Sequence, residues 1–386
     1  MLTFNDFAGI NNVQPAEDIT DKQLAVASNV DIDQAGHAQR RSGYSLVSAT
    51  AHANLWQADG FVLATVAGDL VNVTALAVLH AGVGAARMWY CPLPDGRTLY
   101  ANGTTQGIVN AAGTAVSTWG VPIPASAGVA GDAAGLLHAG DYLWALTHTR
   151  LADGAEGGAI HCAGPVAISS GGVTFTGLPV LIGYRTNVYL TSHNGGERFL
   201  AGSTSGDTLT FSGKNTELQL PCRTEFARPA PAGRLVAFWR GRALVAVGNA
   251  LFASRPHSWE LFDIRRDFKQ FSADITLVQP VADGIFVGTE QELAFLAGAQ
   301  WDQLAYVRKI QGAVVLGSGV AVPGDKIKGG NPGEAMLCIA NGLITAGFAG
   351  GGVAPLTESV YASTASEVAA TFRMQGQIPQ YLAIEQ

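Results

Sequence analysis

Three glycine-containing segments have residue types found in catalytic or nucleotide-binding loops. Residues 202–206 read G-S-T-S-G, which puts Thr204 where a nucleophile elbow needs serine, and no strand-to-helix pattern surrounds them. Residues 213–215, G-K-N, lack both the glycine spacing of a phosphate-binding loop and its magnesium-binding hydroxyl. Residues 347–352, G-F-A-G-G-G, follow no βαβ pattern. All three are predicted to be turns, and we expect no catalytic residue and no enzyme activity.

The spacing of histidine, cysteine and acidic residues does not predict a metal site. The eight histidines form no H-E-x-x-H motif. Asp31 and Asp33 offer the hard oxygen ligands that calcium prefers, but the rest of a calcium-binding loop is missing. The cysteines lie far apart, form no C-x-x-C and are expected to be buried thiols: Cys91, Cys162, Cys222 and Cys338. We therefore expect no metal and no cofactor.

Tryptophans are the remaining candidates for a binding surface, because their ring faces suit the apolar patches of sugars. The candidates are Trp89, Trp119, Trp144, Trp239 and Trp301. The alternative, which we favour, is that these side chains pack between sheets. A sugar groove would suit a protein that binds glycans or, on fold analogy alone, a polysaccharide-degrading enzyme.

Composition limits the partners. Charged residues make up only 14% of the 386 residues, against about 25% in an average soluble domain. The net charge of −7 contains no basic run, so we expect no specific nucleic-acid binding. The start of the sequence has no basic segment before an apolar run, so we expect no signal peptide. The longest apolar stretch, 61–86, is interrupted by polar residues, so we expect no membrane span.

The elements that carry these residues are predicted from a weak repeat. A polar turn ending in glycine precedes an apolar strand, a second turn and another apolar strand, as in DGFVLATVAGDLVNV from Asp59. Successive turn glycines are 36, 44, 101, 43 and 58 residues apart. They are Gly60, Gly96, Gly140, Gly241, Gly284 and Gly342. Because such hairpins bury their apolar faces by radial stacking, we predict an all-β, β-propeller-like fold with about five or six blades.

The 101-residue gap predicts an insertion. Short β runs at 160–226 have the spacing of a small β-sandwich, and the hairpin with Tyr189 and Phe199 is similar to that of a fibronectin-III-like module. One enlarged blade is the alternative. The predicted divisions are an N-terminal arm at 1–44, propeller parts at 45–159 and 227–386, and the insertion at 160–226. Only two short helices are predicted, at 18–29 and 258–262.

The N-terminal segment has three features in a fixed order: a short arm, the pattern A-S-N-V-D at 27–31, and R-S-G-Y at 41–44. The arm residues are Phe4, Phe7, Ile10 and Asn11, and the closing pattern contains Arg41 and Tyr44. Physically, such an arm can complete a final blade or add to a partner subunit, and Arg41 can bind an acidic group through bidentate bonds.

This order, with the stretches 238–263, 275–298 and 340–361, resembles the stabilisation, nozzle and tail-hub propeller proteins of tailed bacteriophages. The resemblance implies a non-enzymatic virion component that is assembled in the host cytoplasm as a homo-oligomer with other tail proteins. It leaves the position open among hub, nozzle, tube end and tip or baseplate. A tail-tip protein that binds a glycan or pilus on the host surface is the alternative.

Overall fold

The computed structural model describes residues 7–32, 36–41, 43, 45–327, 329–330, 332–375 and 378–386. The N-terminal part begins with two small sheets, one parallel and one antiparallel. Their strands are β1 (Gly9–Ile10), β2 (Gln23–Leu24), β3 (Val30–Ile32) and β4 (Ala38–Arg40).

Two antiparallel four-stranded sheets follow, each with its strands in sequence order, and we call them blades 1 and 2. Blade 1 contains β5 (Ala53–Gln57), β6 (Val62–Val66), β7 (Asp69–Asn72) and β8 (Ala77–His80). Blade 2 contains β9 (Trp89–Pro92), β10 (Thr98–Ala101), β11 (Gln106–Val109) and β12 (Val116–Ser117).

The next strands form a separate two-layer unit, which we call the inserted sandwich. Its larger sheets have the orders β13-β18-β21 and β16-β15-β19-β20, and β14 pairs with β17. The strands are β13 (Val129–Ala134), β14 (Gly140–Tyr142), β15 (Trp144–Arg150), β16 (Ile160–His161), β17 (Val166–Ile168), β18 (Gly171–Thr176), β19 (Tyr184–Thr191), β20 (Arg198–Thr204) and β21 (Leu209–Phe211). Residues of both large sheets, such as Phe175 and Leu190, share one buried apolar core. The insertion is therefore a sandwich rather than an enlarged blade.

Three further sheets, blades 3 to 5, continue the repeat. Blade 3 contains β22 (Arg234–Trp239), β23 (Arg242–Val247), β24 (Ala250–Arg255), β25 (Ser258–Phe262) and β26 (Phe268–Gln270), the last two both pairing with β24. Blade 4 contains β27 (Ile275–Val281), β28 (Gly284–Thr289), β29 (Glu292–Ala297) and β30 (Ala305–Gln311). Blade 5 contains β31 (Val320–Pro323), β32 (Glu334–Ala340), β33 (Leu343–Phe348) and β34 (Val353–Pro355).

The chain ends in a two-stranded antiparallel sheet, the terminal hairpin, of β35 (Val368–Gln375) and β36 (Ile378–Glu385). Short 3₁₀ turns lie at Asn215–Glu217, Trp301–Gln303, Gly324–Lys326 and Ala349–Gly351. In the part of the chain that the structure describes, no helix is long and apolar enough to cross a membrane.

The turn glycines explain why the hairpins form. Gly60, Gly96, Gly241 and Gly342 each lie between two paired strands with φ between +77° and +87°, where a side chain is strained. Gly284 begins β28 without a positive φ. The predicted repeat is thus confirmed at five of the six positions.

The blades surround a central cavity, as the predicted β-propeller-like fold requires. Its lining comes from strands of every blade and from β35. Apolar clusters seal consecutive pairs: blades 1 and 2, blades 2 and 3, blades 3 and 4, blades 4 and 5, and blade 5 with the terminal hairpin. The all-β, β-propeller-like prediction is confirmed, with five blades and a two-stranded sixth element.

Three details of the prediction were wrong. The segment around Gly140, assigned to a blade, belongs to the inserted sandwich, where β15 pairs with β19. The sandwich therefore begins near Val129 rather than at 160, because a sandwich strand and a blade strand have the same alternating pattern. Residues 258–262 form a strand, and 18–29 contain only short turns and the strand β2.

Candidate functional site

The N-terminal arm is held by a buried asparagine. Asn11 is 2% exposed, and its Oδ1 accepts hydrogen bonds from the backbone N–H groups of Val13 and Gln14, each 3.1 Å away. Its Nδ2 donates to the side chains of Gln14 and Gln23 at 3.0 Å. The half-buried Ile10 pairs in parallel with Leu24. Asn11 thus fixes the turn that follows the arm.

Asn12, which no sequence motif marks, connects the arm to a segment near the other end of the chain. Its Nδ2 donates to the carbonyl oxygen of Ala362 at 2.8 Å, and its Oδ1 accepts from the Ala362 N–H at 2.8 Å. The Asn12 backbone N–H donates to the Val360 carbonyl at 3.0 Å. These bonds place the arm just before the terminal hairpin. No sequence pattern signals a contact across 350 residues.

The other predicted arm residues are distributed as follows. Phe7 is half-buried, and its N–H donates to the Gly36 carbonyl at 2.9 Å. Arg41 is exposed and pairs with Asp31 through one Nε–Oδ1 contact of 2.7 Å, rather than through two bonds. Phe4 and Tyr44 lie outside the described residues.

Blade 1 has one apolar face without a sealing cluster. Leu63 and Leu70 point towards blade 2 and belong to the cluster that joins the two blades. Side chains alternate along a strand, so Val62, Val66 and Val71 point to the other face. Val78, which pairs with Val71, is 59% exposed. No apolar cluster of the described residues covers this face. Leu55 on β5 is also exposed, at 65%.

The terminal hairpin has a similar face. Phe372 and Tyr381 are paired and pack on blade 5. Alternation then directs Ile378, Leu382 and Ile384 to the opposite face, which also carries the polar side chains of Thr371, Arg373 and Gln380. Ile384 is 68% exposed. We call the region between this face and the valine face of blade 1 the open joint, because it has no buried apolar cluster among the described residues, unlike its five counterparts.

The open joint is held on its inner side by the polar contacts of Arg87, which we call the clasp. Arg87, in the linker between blades 1 and 2, donates from Nη1 to the Val368 carbonyl at 2.6 Å. The same nitrogen lies 3.3 Å from Glu367 Oε1, and the guanidinium lies 4.4 Å from the ring centre of Trp89. Gly317 approaches Arg87 so closely that a Cβ there would overlap the guanidinium. The clasp depends on hydrogen bonding rather than on apolar burial.

The central cavity has a volume of about 1190 Å³. Trp56 and Tyr90 stack at its edge with ring centres 5.4 Å apart. The Tyr90 hydroxyl is buried and has no hydrogen-bond partner among the described residues. Burial raises the pKa of Tyr90 well above its usual value, so the phenol stays protonated at neutral pH. Tyr90 therefore supplies no acid or base that acts near neutral pH, and its buried hydroxyl is not exposed to the cavity.

The three glycine-containing segments with catalytic-like residue types have structural roles. Thr204 ends β20, and its hydroxyl accepts a hydrogen bond from the Gly206 N–H at 3.0 Å. Lys214 precedes a 3₁₀ turn, and its N–H donates to Glu217 at 3.0 Å. The Gly350 N–H donates to Asp283 at 2.8 Å. Across the described residues, no group of three or more histidine, cysteine, aspartate or glutamate side chains could hold a metal ion.

Two of the four cysteines and four of the five candidate tryptophans are buried. Cys162 and Cys222 are only half-buried, so the prediction of buried thiols is wrong for these two, and Trp89 is half-buried as well. Cys91 and Cys338 are buried, and burial raises the pKa of each thiol to about 12. Burial also raises the pKa of the half-buried Cys222 to about 11. Trp119, Trp144, Trp239 and Trp301 are at most 8% exposed. The favoured interpretation of the tryptophans as packing residues agrees with this burial.

The inserted sandwich is fastened to the ring by charge pairs. Glu260 of blade 3 accepts from Arg97 of blade 2 at 2.9 Å and from Arg150 of the sandwich at 2.8 Å. Its side chain is only 13% exposed, so these charge-assisted bonds are little weakened by water. The sandwich thus has a fixed orientation relative to blades 2 and 3.

Neither a protein-family model nor a curated protein matches this chain. Among solved structures, the computationally designed Ika8 protein matches with a TM-score of 0.29 and 10% identity over 87% of this chain and 94% of that one. BBS1N in complex with ARL6DN matches with a TM-score of 0.28 and 12% identity, over 81% and 83%. PorZ, a surface component of the type-IX secretion system of Porphyromonas gingivalis, gives 0.25 and 11%, over 92% and 54%. Likenesses this distant carry no argument about activity or partners.

Proposed function

We propose that this chain is a non-enzymatic structural protein of a tailed-phage virion, a tail component that mediates protein–protein assembly. The observation that carries the proposal is the open joint. There, the valine face of blade 1 and the mixed face of the terminal hairpin have no sealing cluster among the described residues, and Leu55, Val78 and Ile384 are exposed. Exposed apolar surface of this kind is typical of sites that a protein partner covers.

The edge of the terminal hairpin supports the same function. The Gln386 N–H donates to the Glu367 carbonyl at 3.2 Å, on the side of β36 that faces β35. Backbone groups alternate along a strand, so those of Tyr381, Ala383 and Glu385 point away from β35. Pairing among the described residues leaves this edge without a neighbouring strand. An extended segment of a partner can therefore add to the hairpin, as strands do at other sheet edges.

The N-terminal resemblance supports the choice of a phage tail among assembly proteins. The arm that carries it is tied by Asn12 to the segment that leads into the terminal hairpin. The N-terminal arm and the segment that leads into the terminal hairpin thus lie in one region of the molecule. In this proposal the protein is assembled in the host cytoplasm and carried in the tail.

The experiment that tests this function is mass spectrometry of gradient-purified particles from lysates in which the gene is expressed. We expect peptides of this chain to copurify with tail proteins in a constant ratio across the particle peak. Peptides found only in the soluble fractions would overturn the proposal. Immunogold labelling of the same particles separates tail from head.

A further inference from the structure

A small pocket lies where the inserted sandwich meets blade 3. We call it the junction pocket. Its volume is about 280 Å³, close to the lower end of the range of small-molecule pockets, about 300–1,000 Å³. Residues from the sandwich, from blade 3 and from the segment between them line it: His161, Glu225, Phe226, Arg228, Ile264 and Arg265. The volume suits a compact ligand rather than a segment of a partner protein.

The carboxylates at the junction pocket already have partners. The Glu225 Oε1 accepts from Arg198 Nη1 at 2.6 Å and lies 3.0 Å from His161 Nε2. The two oxygens of Asp263, next to the pocket, each accept from Arg265 at 3.0 Å. The Arg265 bond holds the pKa of Asp263 below its usual value. Both negative charges are therefore offset within the protein.

Arg228 supplies a positive charge that no protein group offsets. Its backbone is fixed, because its N–H donates to the carbonyl of the fully buried Phe262 at 2.8 Å and its carbonyl accepts from the Phe262 N–H at 2.9 Å. Its exposed guanidinium has no hydrogen bond or ion pair with any residue that the structure describes. A guanidinium is a planar fork of donors that matches two oxygens of a carboxylate or a phosphate. In a chain with a net charge of −7, the group that this position lacks is an anion.

Beside these charges the junction pocket presents two apolar side chains. Phe226 is 47% and Ile264 is 42% exposed. The guanidinium of Arg265 lies 4.1 Å from the ring centre of Phe226 while it is bonded to Asp263. Small-molecule pockets combine apolar walls with a few polar groups that orient the ligand. A ligand with an apolar body and one charged end fits this arrangement.

We propose that the junction pocket binds a small organic anion, with a carboxylate or phosphate at Arg228 and a compact apolar body against Phe226 and Ile264. The proposal goes beyond the assembly function and does not depend on it. A ligand in this pocket contacts His161 of the sandwich and Ile264 of blade 3. Because it binds only when the two units are together, it also stabilises their docking.

Titration followed by fluorine NMR tests the proposal with three probes of similar shape: para-fluorobenzoate, para-fluorophenyl phosphate and the neutral para-fluorobenzamide. We expect at least one anion to bind at least ~10-fold more tightly than the amide, because charge-assisted hydrogen bonds contribute this much. The tighter of the two anions identifies the group that the pocket prefers, carboxylate or phosphate. If neither anion binds more tightly than the amide, or neither saturates at millimolar concentration, the proposal is wrong.

A variant locates the binding. Arg228→Ala removes the guanidinium without removing a side-chain hydrogen bond or ion pair of the described residues, so the fold should be kept, which the amide NMR spectrum checks. We expect the affinity for the preferred anion to fall by at least ~10-fold. Arg185→Ala is the matched control, because Arg185 is also exposed, has no such side-chain partner among the described residues and does not line the pocket. Equal affinities of wild type and Arg228→Ala, or equal losses in the two variants, would overturn the inference. The presence of the chain in virions would still support the proposed function, so the two failures are distinguishable.

Discussion

Replacing Arg87 with alanine should make the terminal hairpin open more often, although its apolar contacts with blade 5 remain, and should leave the rest of the ring folded. The Nη1 bond to the Val368 carbonyl, 2.6 Å long, is charge-assisted and contributes about 2 kcal/mol. The stacking of the guanidinium on Trp89 adds about 0.5–1 kcal/mol. The ion pair with Glu367 adds little, because both side chains are partly exposed. The clasp therefore holds the hairpin by about 2–3 kcal/mol, a roughly 30- to 160-fold factor in local opening.

Amide hydrogen exchange of the segment 368–385 measures this opening. We expect its protected amides to exchange roughly 30- to 160-fold faster in Arg87→Ala, with blades 2 to 4 unchanged. Arg240→Ala is the matched control. Arg240 also donates to a backbone carbonyl of the next blade, that of Ala282, at 2.7 Å, and lies near the ring of Trp239. An apolar cluster seals that joint, so exchange in β27 should change by less than about threefold.

Two results would contradict this prediction. If the hairpin amides exchange equally fast in wild type and Arg87→Ala, the clasp does not hold the joint. If Arg240→Ala speeds amide exchange in β27 as much as Arg87→Ala speeds it in the terminal hairpin, the apolar cluster between blades 3 and 4 does not distinguish that joint from the open joint.

Three further predictions follow from the core and its charges. Trp119→Ala removes a side chain that is 2% exposed and should lower the free energy of unfolding, measured by urea titration, by about 3–5 kcal/mol. Trp119→Phe keeps an aromatic ring and should lower it by less. Equal losses in the two variants would contradict the packing role of Trp119. The hydrogen bond from the Tyr306 hydroxyl and the ion pair to Arg308 lower the pKa of Glu292. The ionised form of Glu292 therefore stabilises the fold at pH values above its unfolded-state pKa of about 4.3. This stabilisation is lost as the pH falls through the pKa of Glu292 in the folded protein. Glu292→Gln should therefore destabilise by roughly 2 kcal/mol at pH 7 and by much less at pH 3, and a cost independent of pH would argue against the pairing. Burial and a raised pKa of about 12 predict that Cys338 reacts with a thiol reagent at pH 8 only after denaturation, which peptide mapping of the labelled protein checks.

The repeat was visible in the sequence because a turn that needs positive φ selects glycine. Gly60 and Gly241 therefore mark hairpins without any knowledge of tertiary structure. The boundary of the insertion was not visible. The segment around Tyr142 and Trp144 alternates as a blade strand does, and only its partners place it in the sandwich.

The candidate site was predictable only in part. The arm residue Asn11 was identified from its motif, and its burial with four side-chain hydrogen bonds gives it a structural role. The contacts of Asn12 and Arg87 join residues far apart in sequence, and such contacts leave no local pattern. The open joint could not be predicted, because alternation shows which face of a strand Val78 and Ile384 lie on but not whether another sheet covers that face.

The most direct test of the account is cryo-electron microscopy of intact particles that contain this chain. We predict propeller density in the tail, with the exposed residues Val78 and Ile384 covered by protein from a neighbouring subunit. Particles whose tails lack this propeller, or that contain it with the open joint facing solvent, would contradict the proposed function.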